Sequence, residues 1–268
     1  MANSIRHAAV AGMFYPANTE ELHDIVQSML DHAYISLKDH PKAIIVPHAG
    51  YIYSGPIAAS AYTLLKQKSQ QIKRVVLLGP SHRVALRGLA TSHAQYFETP
   101  LGQIPLATAT LNELENFRQV QYLEAAHLEE HSLEVHLPFL QVILDDFELI
   151  PLVVGDSTPE EVSEVLDYLW GGDETVIIIS SDLSHFHDYQ TARDLDNATT
   201  QAIESLTYQN INYEDACGRN PVNGLLALAR EKKLEVHTLD VRNSGDTSGT
   251  KDRVVGYGAY AFIEANRQ

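Results

Sequence analysis

The fold is decided by the stretch AIIVPHAG at residues 43–50, in which an apolar run leads directly into a proline and a histidine. The run at 43–46 has no polar interruption, which is typical of a strand covered on both faces of a sheet. Similar β-branched runs stand at 74–78, 149–154 and 176–179. We therefore predict four buried central strands.

Helical patterns separate these runs, at 56–66, 133–144 and 159–169. The last of them begins with Thr158, a proline and two glutamates, which is a typical helix start. Alternation of strands and helices at this spacing predicts an α/β fold. We expect a single domain, residues 1–268, with a mostly parallel central sheet flanked by helices.

Two segments depart from this alternation. Residues 97–104 contain a Pro/Gly turn between short extended stretches, which predicts a hairpin at a sheet edge. Residues 243–249 are rich in glycine and serine and precede a last predicted strand at 254–263. This Gly/Ser segment is interpreted either as a flexible connector or as a site element that supplies the carboxylate of Asp246.

The composition excludes several classes of protein. The chain has 35 acidic and 19 basic residues among 268, a net charge of −16, which argues against a nucleic-acid partner. Its single cysteine excludes a disulfide framework and a cysteine-based zinc site. No run of 18 apolar residues or targeting segment is recognised, so we expect a cytoplasmic protein without membrane contact.

The 13 histidines are the unusual feature, at about twice the ordinary frequency. His48 follows the first predicted strand, His82 the second, and Asp182 and His185 the fourth. Ligands of open α/β sheets bind beyond the carboxyl ends of the strands, where these side chains would meet. Because neutral imidazole is the commonest protein metal ligand, we interpret the crevice as a metal site.

A further cluster, AHLEEHSLEVH at 126–136, has two interpretations. His127 and His131 fit the H-x-x-E-H pattern of zinc proteases, which requires one continuous helix. Alternatively, Glu130 marks the acidic, solvated start of a new helix, from which His131 points into the crevice. We favour the helix start. Cys217 is expected to be a small buried apolar residue rather than a nucleophile.

Motifs along nearly the whole chain resemble those of one family. They are GMFYP at 12–16, PHAGYIYSG at 47–55, GPSH at 79–82, EHS at 130–132, HLP at 136–138, SSDLSH at 180–185, CGR at 217–219 and NSGD at 243–246. Together they resemble the Memo family, whose bacterial and archaeal members are known as AmmeMemoRadiSam system protein B. The resemblance implies a fold similar to the LigB-type class III extradiol dioxygenases. It also implies an AMMECR-type protein and a radical SAM protein as candidate partners.

The resemblance further implies a non-haem Fe(II) site with His48 and His82 as ligands and His185 as the acid/base. Animal Memo proteins place a cysteine in the loop where this chain has Asp246. A thiolate would favour copper, whereas Asp246 would restore a two-histidine, one-carboxylate site suited to iron. Water or Thr247 in the third position, and copper or zinc as the ion, stay open as alternatives.

Two further residues are assigned to the chemistry. Asp182 is expected to orient His185 or to position a metal-bound ligand, and His131 to contact the substrate or support the ligands. The first functional hypothesis is a metal-dependent, dioxygenase-like oxidoreductase with an unknown small-molecule substrate. The second is a peptide- or partner-binding module with a vestigial or structural metal, since one fold hosts many functions. Neither the substrate nor the oligomeric state follows from the sequence.

Overall fold

The computed structural model describes residues 4–33, 37 and 39–264. The strands of this part of the chain are β1 (Ile5–Arg6), β2 (Ala43–Val46), β3 (Arg74–Pro80), β4 (Leu89–Thr91), β5 (Tyr96–Thr99), β6 (Gly102–Pro105), β7 (Val120–Tyr122), β8 (Glu148–Val154), β9 (Thr175–Ser180), β10 (His185–His187), β11 (Glu235–Asn243) and β12 (Val254–Ile263).

The α-helices are α1 (Thr19–His32), α2 (Tyr51–Tyr62), α3 (Thr108–Leu114), α4 (Glu124–Leu128), α5 (His131–Glu134), α6 (Leu137–Ile143), α7 (Pro159–Tyr168), α8 (Tyr189–Glu204), α9 (Arg219–Lys232) and α10 (Ser244–Thr247). Short 3₁₀ helices cover Thr63–Lys68 and Tyr208–Asn210.

The centre of the large sheet is parallel, as the apolar runs predict. Strands β2, β9, β3 and β8 are neighbours in that order, and each pairs in parallel with the next. Every residue of β2 and β9 is buried. A strand with apolar side chains on both faces of the sheet is stable there only when helices cover both faces. Here α9 packs on β3 and β9, and α2 packs on β2. The predicted α/β fold class is confirmed.

Antiparallel pairs flank this parallel centre on both sides, although the edge strand β7 is parallel to β4. The last predicted strand is confirmed as β12, and it lies between β2 and β11, antiparallel to both. β4 is antiparallel to β8. β11 was not predicted, because its residues alternate between apolar and polar and are mostly half-buried rather than forming an apolar run.

The local predictions are partly confirmed. The predicted hairpin at a sheet edge is confirmed as β5 and β6, and it pairs with β1 in a separate three-stranded sheet in which β6 is an edge strand. The helix predicted at 159–169 is confirmed as α7, with a capping box between Thr158 and Glu161. The helix predicted at 133–144 is instead divided into α5 and α6, where Pro138 stands in the first turn of the second helix.

One hydrophobic core connects these elements, with members from Val10 to Phe262. Within the ranges described above, no helix is both long enough and apolar enough to cross a bilayer.

A buried carboxyl on α8 gives a stability prediction. Asp196 accepts a hydrogen bond from the backbone N–H of Ser184 at 3.0 Å. Burial raises the pKa of Asp196 from 3.8 to about 6, although this hydrogen bond and the charge of His187 oppose the rise. Because the folded protein holds this proton more tightly than the unfolded chain, the contribution to stability is complete below about pH 4 and is lost as the pH rises past about 6.

Replacing this carboxyl by an amide is therefore expected to help only at higher pH. The free energy of unfolding of Asp196→Asn, measured relative to wild type with urea, should rise by up to about 3 kcal/mol between about pH 4 and pH 7.5. Asp194→Asn, on the exposed face of the same helix, is the control. A difference for Asp196→Asn that stays constant with pH would contradict the prediction.

Candidate metal centre

The ends of three parallel strands lie level with one another. Val46 at the end of β2 is paired with Ser180 at the end of β9, and Leu78 of β3 is paired with Ile179. The residues that follow these strands therefore meet at one edge of the sheet, as the carboxyl-end rule predicts. His48 and His82 lie there with their ring centroids 5.2 Å apart.

A third histidine enters from α5 because a glycine allows a close approach. A Cβ atom on Gly79 would lie 2.8 Å from Oγ of Ser132 and 2.9 Å from a methyl group of Leu133. The Ser132 hydroxyl donates to the carbonyl of Pro80 at 2.8 Å, so the helix is bonded directly to the end of β3. This packing places His131, the preceding residue, beside His82.

The three imidazoles form a compact group. One ring nitrogen each of His48, His82 and His131 lies within 4.8 Å of the other two. The His131 ring centroid is 4.6 Å from that of His82 and 5.4 Å from that of His48. Nitrogens that bind one transition metal at about 2.0–2.1 Å lie at most about 4.2 Å apart, so small side-chain movements at most would let the three rings share one ion.

Hydrogen bonds orient the rings of His48 and His82, and the carboxylate of Glu130 also lies near the ring of His131. Nδ1 of His48 lies 2.6 Å from Oγ of Ser180, whose hydroxyl donates in turn to the carbonyl of Ser132 at 2.6 Å. His48 therefore carries its proton on Nδ1 and has its lone pair on Nε2. Oε1 of Glu130 lies 2.9 Å from Nδ1 of His82 and 3.4 Å from Nδ1 of His131. A carboxylate on Nδ1 is the usual support of a histidine that binds metal through Nε2.

Glu130 is ionised although it is only 1% exposed. Burial alone would raise its pKa, but hydrogen bonds from the side chain and backbone of His82 and from the backbone of Ser132 outweigh burial and lower the pKa to about 2. The predicted helix start at Glu130 is confirmed, since this residue is the N-cap of α5. It is not solvated as expected, and its buried negative charge would compensate a cation bound at the three rings.

Two of the imidazoles, His48 and His131, are in the protonation state that metals need. Burial lowers the pKa of His48 well below its ordinary value, and the neighbouring His82 and His131 lower it further. Burial, followed by the influence of His82, lowers the pKa of His131 to about 4. Both rings are therefore neutral near pH 7 and can bind a metal without first releasing a proton.

His185 and Asp182 lie beside this group in different roles. Nδ1 of His185 donates to the carbonyl of Leu183 at 2.8 Å, which leaves Nε2 with the lone pair. Burial lowers the pKa of His185, and His82 lowers it further. Asp182 accepts from the backbone N–H of His48 at 2.7 Å, so its carboxylate holds the loop of the first histidine. Burial raises the pKa of Asp182 to about 7.

The structure does not bring Asp246 into the group of His48 and His82; His131 completes that group instead. Asp246 is exposed on α10, where its carboxylate accepts from the Tyr189 hydroxyl at 2.5 Å and from the backbone N–H of Asn243 at 3.0 Å. The Thr247 hydroxyl points back to the carbonyl of Ser244. The segment interpreted either as a flexible connector or as a site element thus contains a capped helical turn.

The course of the backbone contradicts the zinc-protease interpretation. It requires one helix through His127 and His131, but α4 ends at Leu128 and α5 begins at His131. His127 is buried, and its Nε2 donates to the carbonyl of Ala90 at 3.0 Å. The two histidines therefore do not share a helical face.

Cys217 lies next to the centre, a contact with His48 that its sequence context did not predict. Its Sγ lies 3.3 Å from Nε2 of His48 and accepts from the backbone N–H of Asp182 at 3.3 Å. A Cβ atom on Gly218 would lie 2.4 Å from the carbonyl of Ser180, so only glycine lets this segment approach the end of β9. The CGR motif was the available signal, but its spacing alone indicated no contact with a histidine.

A second buried carboxylate anchors the N-terminal segment under the centre. Glu134 of α5 binds the guanidinium of Arg6 and accepts from the backbone N–H groups of Ala9 and Val10 at 2.8 and 2.9 Å. The Tyr15 hydroxyl also donates to it, at 2.6 Å. The adjacent ring of Phe14 lies 4.7 Å from that of His131, so the GMFYP motif supports the third histidine.

The fold and the site define a class, an α/β protein with a three-histidine centre at the carboxyl ends of parallel strands. The chain belongs to the Memo family, because the family model described as Memo-like protein matches residues 6–261. A MEMO1 family protein of Metallosphaera sedula is 33% identical over 97% of this chain and 99% of its own length. One of Saccharolobus solfataricus is 34% identical, over 96% and 99%.

A solved structure supports the fold alone. An uncharacterized protein from Escherichia coli K12 superposes with a TM-score of 0.51 and 14% sequence identity, over 80% of this chain and 98% of that one.

Proposed function

We propose that this protein binds one Fe(II) ion through Nε2 of His48, His82 and His131 and acts there as an oxidoreductase on a small molecule. The observation that carries the proposal is the close grouping of three imidazole nitrogens from His48, His82 and His131, with hydrogen bonds that orient the first two rings. Three ligands from one side leave coordination positions open for O₂ or a substrate. The ion, when bound, would supply redox chemistry.

The donor set fits such an ion. Imidazole nitrogen binds iron, copper and zinc alike, so the choice of Fe(II) rests on the resemblance to the extradiol dioxygenases. The buried carboxylate of Glu130 contacts two of the three rings and raises their basicity as ligands. Ser180 does the corresponding work for His48 as a hydrogen-bond acceptor.

The residues around the ion have separate tasks in this proposal. His185 moves a proton, because its Nδ1–H is bound to a carbonyl and its Nε2 lone pair can accept one. Asp182 holds the loop that carries His48 in place rather than orienting His185. Phe14 and Cys217 pack against the ligands and limit the access of water.

The test combines metal content with oxygen consumption. Protein loaded anaerobically with Fe(II) should consume O₂ with at least one member of a panel of catechols and other small reductants. His185→Ala should retain its iron but lose about a hundredfold or more in rate, the usual effect of removing an acid/base group. His23→Ala, at an exposed histidine on α1, is the control.

Three outcomes would each contradict a different part of the proposal. Protein that binds no Fe(II) lacks the proposed centre. Protein that holds iron firmly but consumes no O₂ with any reductant would favour the binding or assembly module, with a structural metal. A rate that His185→Ala leaves unchanged would remove His185 as the proton carrier.

A further inference from the structure

A pocket opens directly beside the metal centre. It has a volume of about 240 Å³ and lies between the segments that follow β3 and β8 and the start of α9. Cys217 belongs to its lining, and the Sγ atom of this residue is 3.3 Å from Nε2 of His48. Ser81, the neighbour of His82 in the chain, lines it as well. The pocket and the centre therefore share a wall.

The wall of the pocket is largely apolar. Pro80, Val84, Leu86, Val154 and Pro221 supply hydrocarbon surface. The polar lining groups are mostly engaged with the protein itself. The Ser81 hydroxyl donates to the carbonyl of Val84 at 2.5 Å, and the amide of Asn220 donates to the carbonyl of Gly155 at 2.7 Å. Such a wall offers burial rather than hydrogen bonds to a ligand.

An aromatic side chain is held at the mouth of the pocket. Tyr213 is 57% exposed, yet its hydroxyl accepts from the Asn220 amide at 3.1 Å. The guanidinium of Arg219 lies 3.9 Å from the centre of the Tyr213 ring, and Nε of Arg219 donates to Oδ1 of Asn220 at 3.1 Å. These two contacts hold the Tyr213 ring in place, so a ligand that binds in the pocket loses little free energy to the ordering of this side chain.

We propose that this pocket binds the apolar part of the substrate, an uncharged group about the size of one six-membered ring. The proposal rests on the proposed function, since the reactive end of that substrate would reach the ion past Cys217. The volume suits such a group, because a cavity of about 150 Å³ already holds benzene. Asp156 alone among the described lining residues carries a charge, and Arg219 at the mouth carries the opposite one, so the two charges together favour neither an anionic nor a cationic ligand.

The experiment uses metal-free protein, so that its outcome does not depend on metal binding. Cyclohexanol and myo-inositol, which have the same ring but opposite polarity, are titrated and followed by ligand-observed NMR. Alkylation of Cys217, the only thiol in the sequence, by N-ethylmaleimide is followed by mass spectrometry. The reaction is run at alkaline pH, because burial raises the pKa of this thiol and the thiolate is the reactive form. Cyclohexanol should bind and, at nine-tenths occupancy, slow alkylation about tenfold, whereas myo-inositol should do neither.

Two variants fill the pocket. Val84→Phe and, at the exposed rim, Ala85→Phe should abolish the binding of cyclohexanol, while Val142→Phe in α6, far along the chain from the pocket, should leave it unchanged. Thermal unfolding verifies that each variant is folded. Equal binding of the two probes, binding that survives both filling variants, or a Cys217 that does not respond to the probe would overturn the proposal. If cyclohexanol binds but Fe(II) does not, only the metal centre fails.

Discussion

Replacing His131 by alanine is expected to lower the Fe(II) affinity of the protein about a hundredfold or more, whereas Asp246→Asn should leave the affinity unchanged. Structural zinc sites with four protein ligands bind their metal with about 10–16 kcal/mol. This corresponds to about 3 kcal/mol per ligand, or more than a factor of a hundred in affinity. His131 shares the group of ring nitrogens with His48 and His82, but the carboxylate of Asp246 is occupied by Tyr189 and Asn243. Anaerobic titration with elemental analysis measures both affinities.

The pair of variants distinguishes two ligand sets. The family resemblance implies His48, His82 and Asp246, while the geometry supports His48, His82 and His131. His48→Ala should abolish stoichiometric binding under either set and is therefore the positive control. If Asp246→Asn lost as much affinity as His131→Ala, the two-histidine, one-carboxylate site would be the better description, and α10 would have to rearrange when the metal binds.

Glu134→Ala is expected to cost about 3–5 kcal/mol of unfolding free energy, the usual effect of breaking a buried ion pair from one side. The carboxylate of Glu134 is buried and binds Arg6, two backbone N–H groups and the Tyr15 hydroxyl. Its removal leaves the buried guanidinium without its countercharge and three further donors without a partner. Urea unfolding of metal-free protein measures the loss directly.

A matched control stands five residues earlier. Glu129 is exposed, and Glu129→Ala should change the unfolding free energy by no more than about 0.5 kcal/mol. A double-mutant cycle of Glu134→Ala with Tyr15→Phe separates the contribution of the tyrosine hydroxyl. A loss below about 1 kcal/mol for Glu134→Ala would show that the N-terminal segment is held by its apolar contacts instead.

The parallel core of the fold was predictable because it depends on local sequence. Uninterrupted apolar runs such as 43–46 and 176–179, bounded by turn residues, are typical of strands in the middle of a covered sheet. Both runs are fully buried strands in the structure. The strand β11 was not predictable in this way. Its residues form no apolar run, because β11 lies at the side of β12 with its side chains half-buried, and not in the middle of the covered sheet.

Some residues of the candidate site could likewise be predicted from the sequence, and others could not. The positions of His48, His82 and His185 after strand ends follow from the sequence and from a general rule for open sheets. The third member, His131, sits on a one-turn helix with little local signal, and its approach depends on the missing side chain of Gly79. Likewise, the contact of Cys217 with His48 depends on Gly218, which packs against a carbonyl of β9.

The sequence by itself determined the central strands, the edge of the sheet at which histidines gather, and the family. Apolar runs and motifs are properties of neighbouring residues, so they can be read without the fold. The tertiary structure alone decided that His131 rather than Asp246 joins His48 and His82, that Glu130 is a buried carboxylate and that Cys217 faces the centre. These contacts join segments of the chain far apart in sequence, and close packing at two glycines makes them possible.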